Sequence, residues 1–491
     1  MFHVEHPGWG GVSLHGARGG VLSHAATEVF HVEHSEPRAD TERDLGPRRK
    51  AWAFCTKSGY DGWRGDLDGL LRGPSRQRLH RAPVMGLRTQ PRPPLKPFSP
   101  TNELHRPMTR EWFEQDLRAL EDAHRLRVPR TLHYRDTTHA EIDGRPVTVF
   151  CSNDYLGLRN HPRLLGAVDR VVRAEGIGTG ASRLVSGNLD VHREAEATLA
   201  EHVASESALL FSSGFAANVG VIPVLAGADD VLFSDALNHA SLVDGCRLSR
   251  ARTIVFRHGD AAHLAESVRA ARPFRRGWIL TESVFSMDGD RAPLGALRAI
   301  ADREGLGLYV DEAHALGVLG AEGRGAAFEH AIRADVLVGT LGKALGGAGA
   351  FVAGAAPLRS WLWNRARSFV FSTGASVANA AAATEAILLL RSDPRPLQRL
   401  RENIALLREG LGRRGLPIGG EPDVPIVPII LGDERRAVEV SQTLLERGLF
   451  VSAIRPPTVP VGTARLRITV SAAHTVEELN ALCDALEESL R

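Results

Sequence analysis

The chain has 491 residues, 43% of them hydrophobic, with 60 basic and 58 acidic side chains and a formal net charge of +2. That length allows two or three domains with a large core, and so balanced a charge gives no reason to expect a nucleic-acid or membrane partner. No run of about 18 apolar residues offers a transmembrane helix, and Cys55, Cys151, Cys246 and Cys483 have no CxxC spacing, so neither a disulfide framework nor a zinc site is expected and a reducing cytoplasm is the default.

Residues 1–107 differ from the rest. They hold 11 of the 27 prolines, 8 of the 20 histidines, 16 basic residues and 11 acidic ones. No helical or strand period persists, and 91–100 reads as an extended proline-rich linker. The segment is expected to be a disordered extension. It lacks the apolar core of a secretory signal, and Glu5, Glu28 and Glu33 argue against a mitochondrial presequence. Phe2-His-Val-Glu-His6 recurs as Phe30-His-Val-Glu-His34. A metal site is one reading, but no folded frame would hold its ligands. A near-palindromic DNA site translated in frame fits better. The expectation is therefore that translation starts at Met108 and that 1–107 is upstream DNA read as protein. Mass spectrometry of the native N-terminus decides it.

From Met108 the pattern is orderly. Trp112, Leu117, Leu120 and Leu126 recur at helical intervals and predict an amphipathic helix from Thr109 to about Arg127. Residues 108–150 are read as this helix and a lead-in. Residues 151–395 are read as a large cofactor-binding domain. There, short apolar strands at 208–211, 230–233, 253–256, 278–281, 307–310 and 336–338 alternate with helical stretches. This predicts an α/β fold, a mainly parallel sheet with helices on both faces. A long helix is expected over about 376–391. Residues 396–491 read as a smaller α+β domain, with strands at 424–431 and 466–470. Two prolines in the first of these place it at a sheet edge.

The chemistry-bearing residues fall after these strands. Lys343 lies in a small-residue turn after the 336–338 strand, about thirty residues beyond Asp311, which ends another strand. That pair suits pyridoxal phosphate: the lysine amine bonds the cofactor aldehyde, and the acid keeps the pyridine nitrogen protonated. A buried carboxylate needs such a cationic partner. His314 could reach the ring oxygen, and Thr340 the phosphate. Ser212-Ser-Gly214-Phe215 opens a helix and is either a phosphate-binding turn or an ordinary one. His239 stacks on an aromatic ring or is a plain loop histidine. Ser286 bonds the cofactor or caps its own turn. All lie at strand C-terminal ends, where open α/β sheets place ligands.

Six segments carry a family resemblance. They are Cys151-Ser-Asn-Asp-Tyr-Leu-Gly157, Gly178-Thr-Gly-Ala-Ser-Arg-Leu-Val-Ser-Gly187, Asn238-His-Ala-Ser, Val284-Phe-Ser-Met-Asp-Gly-Asp290, Val310-Asp-Glu-Ala-His314 and Thr340-Leu-Gly-Lys343. Residues 108–491 resemble the α-oxoamine synthases, fold-type-I pyridoxal phosphate transferases of the aspartate aminotransferase-like kind. These join an amino acid to an acyl thioester with loss of CO2. Ser182-Arg-Leu-Val-Ser-Gly-Asn-Leu-Asp-Val-His192 and Arg455-Pro-Pro-Thr458 are similar to the branch that makes 8-amino-7-oxononanoate from L-alanine and pimeloyl-CoA or a pimeloyl carrier protein, early in biotin synthesis. A glycine C-acetyltransferase is the alternative, since one methyl on the amino acid is worth only about 1–3 kcal/mol of discrimination.

The resemblance implies roles. Lys343 is the cofactor-bonding lysine and acid/base. Asp311 faces the pyridine nitrogen, His314 the ring oxygen and His239 the ring face. Gly214, Phe215 and Thr340 hold the phosphate, with Ser286 a further polar contact. Arg467 clamps the substrate carboxylate, helped by Asn153, because a guanidinium fork suits a carboxylate. Thr458 lies on a loop near the substrate, and Arg127, at the end of the N-terminal helix, near the acyl chain. Phe371-Ser-Thr373 resembles a segment reaching the phosphate of a neighbouring subunit, which implies a homodimer with shared sites. Gly374-Ala-Ser departs there from the family's Leu-Pro-Pro.

Overall fold

The computed structural model describes residues 108–491; the 1–107 extension and its repeats lie outside the described residues. The first helix, Met108–Asp122, is shorter than the sequence period suggested. It unwinds where Arg125 and Leu126 N–H groups both turn back to the Leu120 carbonyl. Its apolar stripe is not buried: Trp112 is 58% exposed and Phe113 66%. Three strands follow: β1 (Leu132–Tyr134), β2 (His139–Ile142) and β3 (Arg145–Val149).

The central sheet is built from β4 (Ser207–Phe211), β5 (Val231–Asp235), β6 (Arg252–Phe256), β7 (Gly277–Glu282), β8 (Gly307–Asp311), β9 (Val336–Thr340) and β10 (Ala350–Gly354). Their order is β4-β10-β9-β8-β7-β5-β6. Neighbours from β9 to β6 run parallel, and β10 is antiparallel to both β9 and β4. The α/β architecture is thus the expected one, with β10 an additional strand that the sequence reading had not separated from the glycine-rich turn before it.

Strand periodicity explains why both faces are covered. Phe233, Leu308, Val310 and Leu337 enter one core, while Leu232, Tyr309, Val336 and Val338 enter the other. Tyr309 and Phe233 are fully buried, each contributing about 2 kcal/mol of apolar burial. The expected long helix is present as Val377–Ser392, packed against the first core.

The C-terminal segment contains β11 (Ile426–Gly432), β12 (Leu449–Phe450), β13 (Ser452–Ile454) and β14 (Ala464–Thr469). A three-stranded sheet has the order β11-β14-β13, so the proline-bearing strand does sit at an edge. β14 is wholly buried, with Arg465 and Arg467 on one face and Leu466 and Ile468 on the other. β12 pairs in parallel with β3, so the lead-in and the C-terminal segment share a four-stranded sheet. One hydrophobic core runs from Phe150 to Leu486, crossing residue 395 without a break.

Candidate active site

Strands β4, β5, β7, β8 and β9 each lead, at their C-terminal ends, to residues of one cavity. β4 leads into the helix Gly214–Leu225, whose N-cap Ser213 accepts a hydrogen bond from the Ala216 N–H. Beyond its chain neighbours and its own helix backbone, no atom stands within 4 Å of where a Cβ on Gly214 would lie, so the backbone there faces open space. β5 leads to His239, β7 to Ser286, β8 to Asp311 and His314, and β9 through Thr340 to Lys343.

These groups converge on a cavity of about 300 Å³. Asn153, Gly214, Phe215, His239, Ser286 and Thr340 line it together with Asp311, His314, Lys343 and Arg467. Three expected residues lie outside it. The exposed Arg127 donates from Nη2 to Thr458 Oγ1 at 3.2 Å, so those two meet each other. Thr373 is exposed and bridges to Ser182 beside a separate cleft.

The hydrogen bonds fix protonation states. Lys343 Nζ lies 2.8 Å from His314 Nε2, and His314 Nδ1 lies 2.7 Å from the Tyr155 hydroxyl. Burial, reinforced by the charges of Lys343 and Arg467, holds the His314 pKa well below its usual 6.5, so the ring is neutral. Tyr155 donates to Asn153 Oδ1 at 3.1 Å. The consistent tautomer therefore has His314 Nδ1–H donating to Tyr155 and Nε2 accepting from Lys343. Arg467 Nη2 also reaches Asn153 Oδ1 at 3.2 Å, while its Nε donates to the Ser286 carbonyl at 2.6 Å.

Asp311 is 5% exposed. It accepts from Asn218 Nδ2 at 2.8 Å and from the Ala313 N–H at 2.9 Å. Asn218 is in turn held by the Tyr309 hydroxyl and donates to Ser241, and Ser241 Oγ lies 2.8 Å from His239 Nδ1. Burial lowers the Lys343 pKa to about 8, against the opposing pull of Asp311 and Glu282. Glu282, accepting from the His239 N–H at 2.6 Å, is pushed up to about 8 by burial and then by Asp311.

Glu282 has a consequence for stability. Its folded pKa is raised from 4.5 to about 8, so between those values the native state keeps a proton that the unfolded state has lost. The stabilisation is complete below 4.5 and is lost as pH rises through about 8. Relative to Glu282→Gln, the melting temperature of the wild-type apoprotein is expected to fall from about pH 5 to about pH 8. Parallel melting curves across that range would show that Glu282 is ionised throughout.

Asn218, Ser241, Tyr155 and Glu282 had no assigned role in the sequence reading, although each lay within or beside a quoted motif. Asn218 was the most recoverable. It stands four residues after Gly214 and so shares its helix face.

The aminotransferase class I and II family model matches residues 145–486. The chain is 49% identical over 383 residues to the 8-amino-7-oxononanoate synthase of Anaeromyxobacter sp. (strain Fw109-5), covering 78% of this chain and 96% of that one. This chain belongs to the α-oxoamine synthase family. The α-oxoamine synthase of the same name from Methylococcus capsulatus is 48% identical over 373 residues, 75% of this chain and 95% of that one. A serine palmitoyltransferase from S. paucimobilis, solved with a pyridoxal phosphate–myriocin adduct, superposes with a TM-score of 0.74 at 29% identity, covering 78% and 98% of the two chains.

As an α-oxoamine synthase, the chain is a pyridoxal phosphate-dependent acyltransferase acting on small molecules. The cavity fits that cofactor. It offers the Lys343 amine, the buried Asp311 carboxylate already braced by Asn218, and an open glycine at a helix start where anions bind. Among the described residues, no helix is long and apolar enough to cross a membrane, and no group of three or more His, Cys, Asp or Glu side chains is placed to hold a metal.

Proposed function

We propose that this α-oxoamine synthase joins L-alanine to a pimeloyl thioester, on CoA or a carrier protein. The products are 8-amino-7-oxononanoate, CO2 and the free thiol, within biotin synthesis. One observation carries the reading: the 49% identity to an enzyme of that name, in a chain whose Lys343, Asp311 and Arg467 line one cavity. Pyridoxal phosphate, when bound, supplies an electron sink for the charge left at the amino acid's Cα.

The remaining roles belong to the chain. Lys343 would hold the cofactor and, once released, take the Cα proton. Its pKa of about 8 keeps a usable share of free amine near neutrality. Asp311 would pair with the pyridine nitrogen, His239 cover the ring, and His314 donate to the ring oxygen from Nε2, its tautomer switching once the Lys343 amine no longer donates there. Gly214, Phe215 and Thr340 would hold the phosphate, with Ser286 a further polar contact. Arg467, steadied by Asn153, would grip the alanine carboxylate. The substrate Cα would then bond to the thioester carbonyl carbon as the C–S bond breaks and the thiolate leaves to take a proton from solvent; the carboxylate leaves as CO2, and Lys343 returns its proton to Cα. Arg127 and Thr458 would lie along the acyl chain.

We further place the enzyme in the cytoplasm as a homodimer. In support of a dimer, Phe371 beside Thr373 is 70% exposed, as are Val185 at 80% and Ile177 at 74%. Ser182 bridges to Thr373 and Ser376 Oγ donates to the Ile177 carbonyl, so these exposed apolar groups stand on adjoining segments, as in a patch that a partner surface covers.

The test is to weigh the products of holoenzyme supplied with L-alanine or glycine and with pimeloyl-CoA or acetyl-CoA. Product mainly from alanine and pimeloyl-CoA is expected. Preference for glycine and acetyl-CoA would replace this reading with a glycine C-acetyltransferase.

A further inference from the structure

His258 lies outside the cavity lining, and no step above uses it. It follows β6, and each of its ring nitrogens meets a carboxylate: Nδ1 lies 2.8 Å from Asp235 Oδ1, and Nε2 lies 2.7 Å from Asp290 Oδ2. A ring with a carboxylate on each nitrogen needs both N–H groups, so it is an imidazolium. The two carboxylates accordingly raise its pKa to about 10. The Phe285 ring stands edge-on to it, centroids 4.4 Å apart.

The two carboxylates belong to two functional segments. Asp235 ends β5 and accepts from the Leu237 and Gly259 N–H groups, both at 2.9 Å, at the start of the turn that carries His239. Asp290 closes the loop after β7. There the Phe285 N–H donates to the Asp290 carbonyl at 3.0 Å, and the Gly289 N–H to the Phe285 carbonyl at 2.8 Å. Ser286 and Met287, inside that loop, form part of the cavity wall. The Ser286 carbonyl is also the acceptor for Arg467 Nε. Arg465, two residues earlier on β14, pairs with Asp288 in the same loop.

We propose that His258 is a positioning residue: held between Asp235 and Asp290, it sets the Ser286–Met287 loop and, through the Ser286 carbonyl, aims the Arg467 fork at the amino acid's carboxylate. This rests on the reading of Arg467 as the carboxylate clamp. A loop displaced by a fraction of an ångström misdirects the fork without touching the groups that move the proton.

The experiment uses holoenzyme carrying Asp290→Asn or His258→Asn, titrated with L-alanine alone while the absorbance of the bound cofactor is followed. Steady-state kinetics are measured beside it. The alanine dissociation constant and KM are expected to rise about tenfold, with kcat within about twofold and the thioester KM unchanged. Arg467→Gln is titrated in parallel. If it loses alanine affinity while Asp290→Asn and His258→Asn do not, the role of His258 is overturned and the clamp stands. If Arg467→Gln retains alanine affinity, the clamp itself fails and the proposal falls with it. A joint fall in kcat, cofactor occupancy and melting temperature in both loop variants would mark a merely structural role and would also overturn the proposal.

Discussion

Lys343→Ala is expected to stop turnover, by more than about a thousandfold, while the protein still folds. Lys343 Nζ sits in a cavity with the buried acids Asp311 and Glu282, its pKa lowered to about 8. Among the described residues no other lysine lines the cavity, so none of them offers a second amine to bond the cofactor aldehyde or take the Cα proton. Removing the amine leaves His314 Nε2 without its 2.8 Å partner, a cost of about 1–3 kcal/mol, but also relieves a desolvated cation. The apoprotein melting temperature should therefore shift by only a few degrees. Mass analysis of products and the visible absorbance of reconstituted protein check this together. A variant with normal product yield would refute the assignment of Lys343.

The second large effect is expected at Asp311. Asp311→Asn keeps the size of the side chain and a carbonyl oxygen that can still accept from Asn218 or from the Ala313 N–H. What it removes is the negative charge at the end of β8. That charge is what would hold a pyridine nitrogen protonated and so make the ring an effective electron sink. Preorganised charge in a water-poor site contributes several kcal/mol, so kcat should fall about a thousandfold at saturating cofactor. Cofactor affinity should weaken as well, and an absorbance titration with pyridoxal phosphate separates the two losses. Full activity in Asp311→Asn would mean that the carboxylate is only structural, serving to brace Asn218.

Some of this was written in local pattern. The alternation of short apolar strands and helices predicts a parallel sheet, because a buried strand is a continuous apolar run and each crossover needs a helix. The residues that meet in the cavity were legible for a related reason. Lys343, Asp311, His239 and Ser286 each follow a recognisable strand, and in such a sheet the strand ends share one edge. The edge position of β11 was legible from Pro428, which cannot donate to a ladder.

Other features depend on residues far apart in the chain. The antiparallel β10 is hidden in the glycine-rich segment after Lys343, where its register against both β9 and β4 is set by packing. β12 adds to β3 across about 300 residues, a pairing that no local period announces. The stripe of Trp112, Leu117 and Leu120 reads as a buried helix face, yet in the single chain it faces solvent. Asn218 and Tyr155 became site residues only when Asp311 and His314 were folded against them. The sequence by itself thus determined the fold class and singled out Lys343 and Asp311 as candidates that line one cavity, because both follow from short-range periodicity and strand-end chemistry. Only the tertiary structure decided the hydrogen-bond partners, the protonation of Glu282 and His314, and the tie that His258 makes between two loops. Those depend on burial and on distances between segments that are remote in sequence.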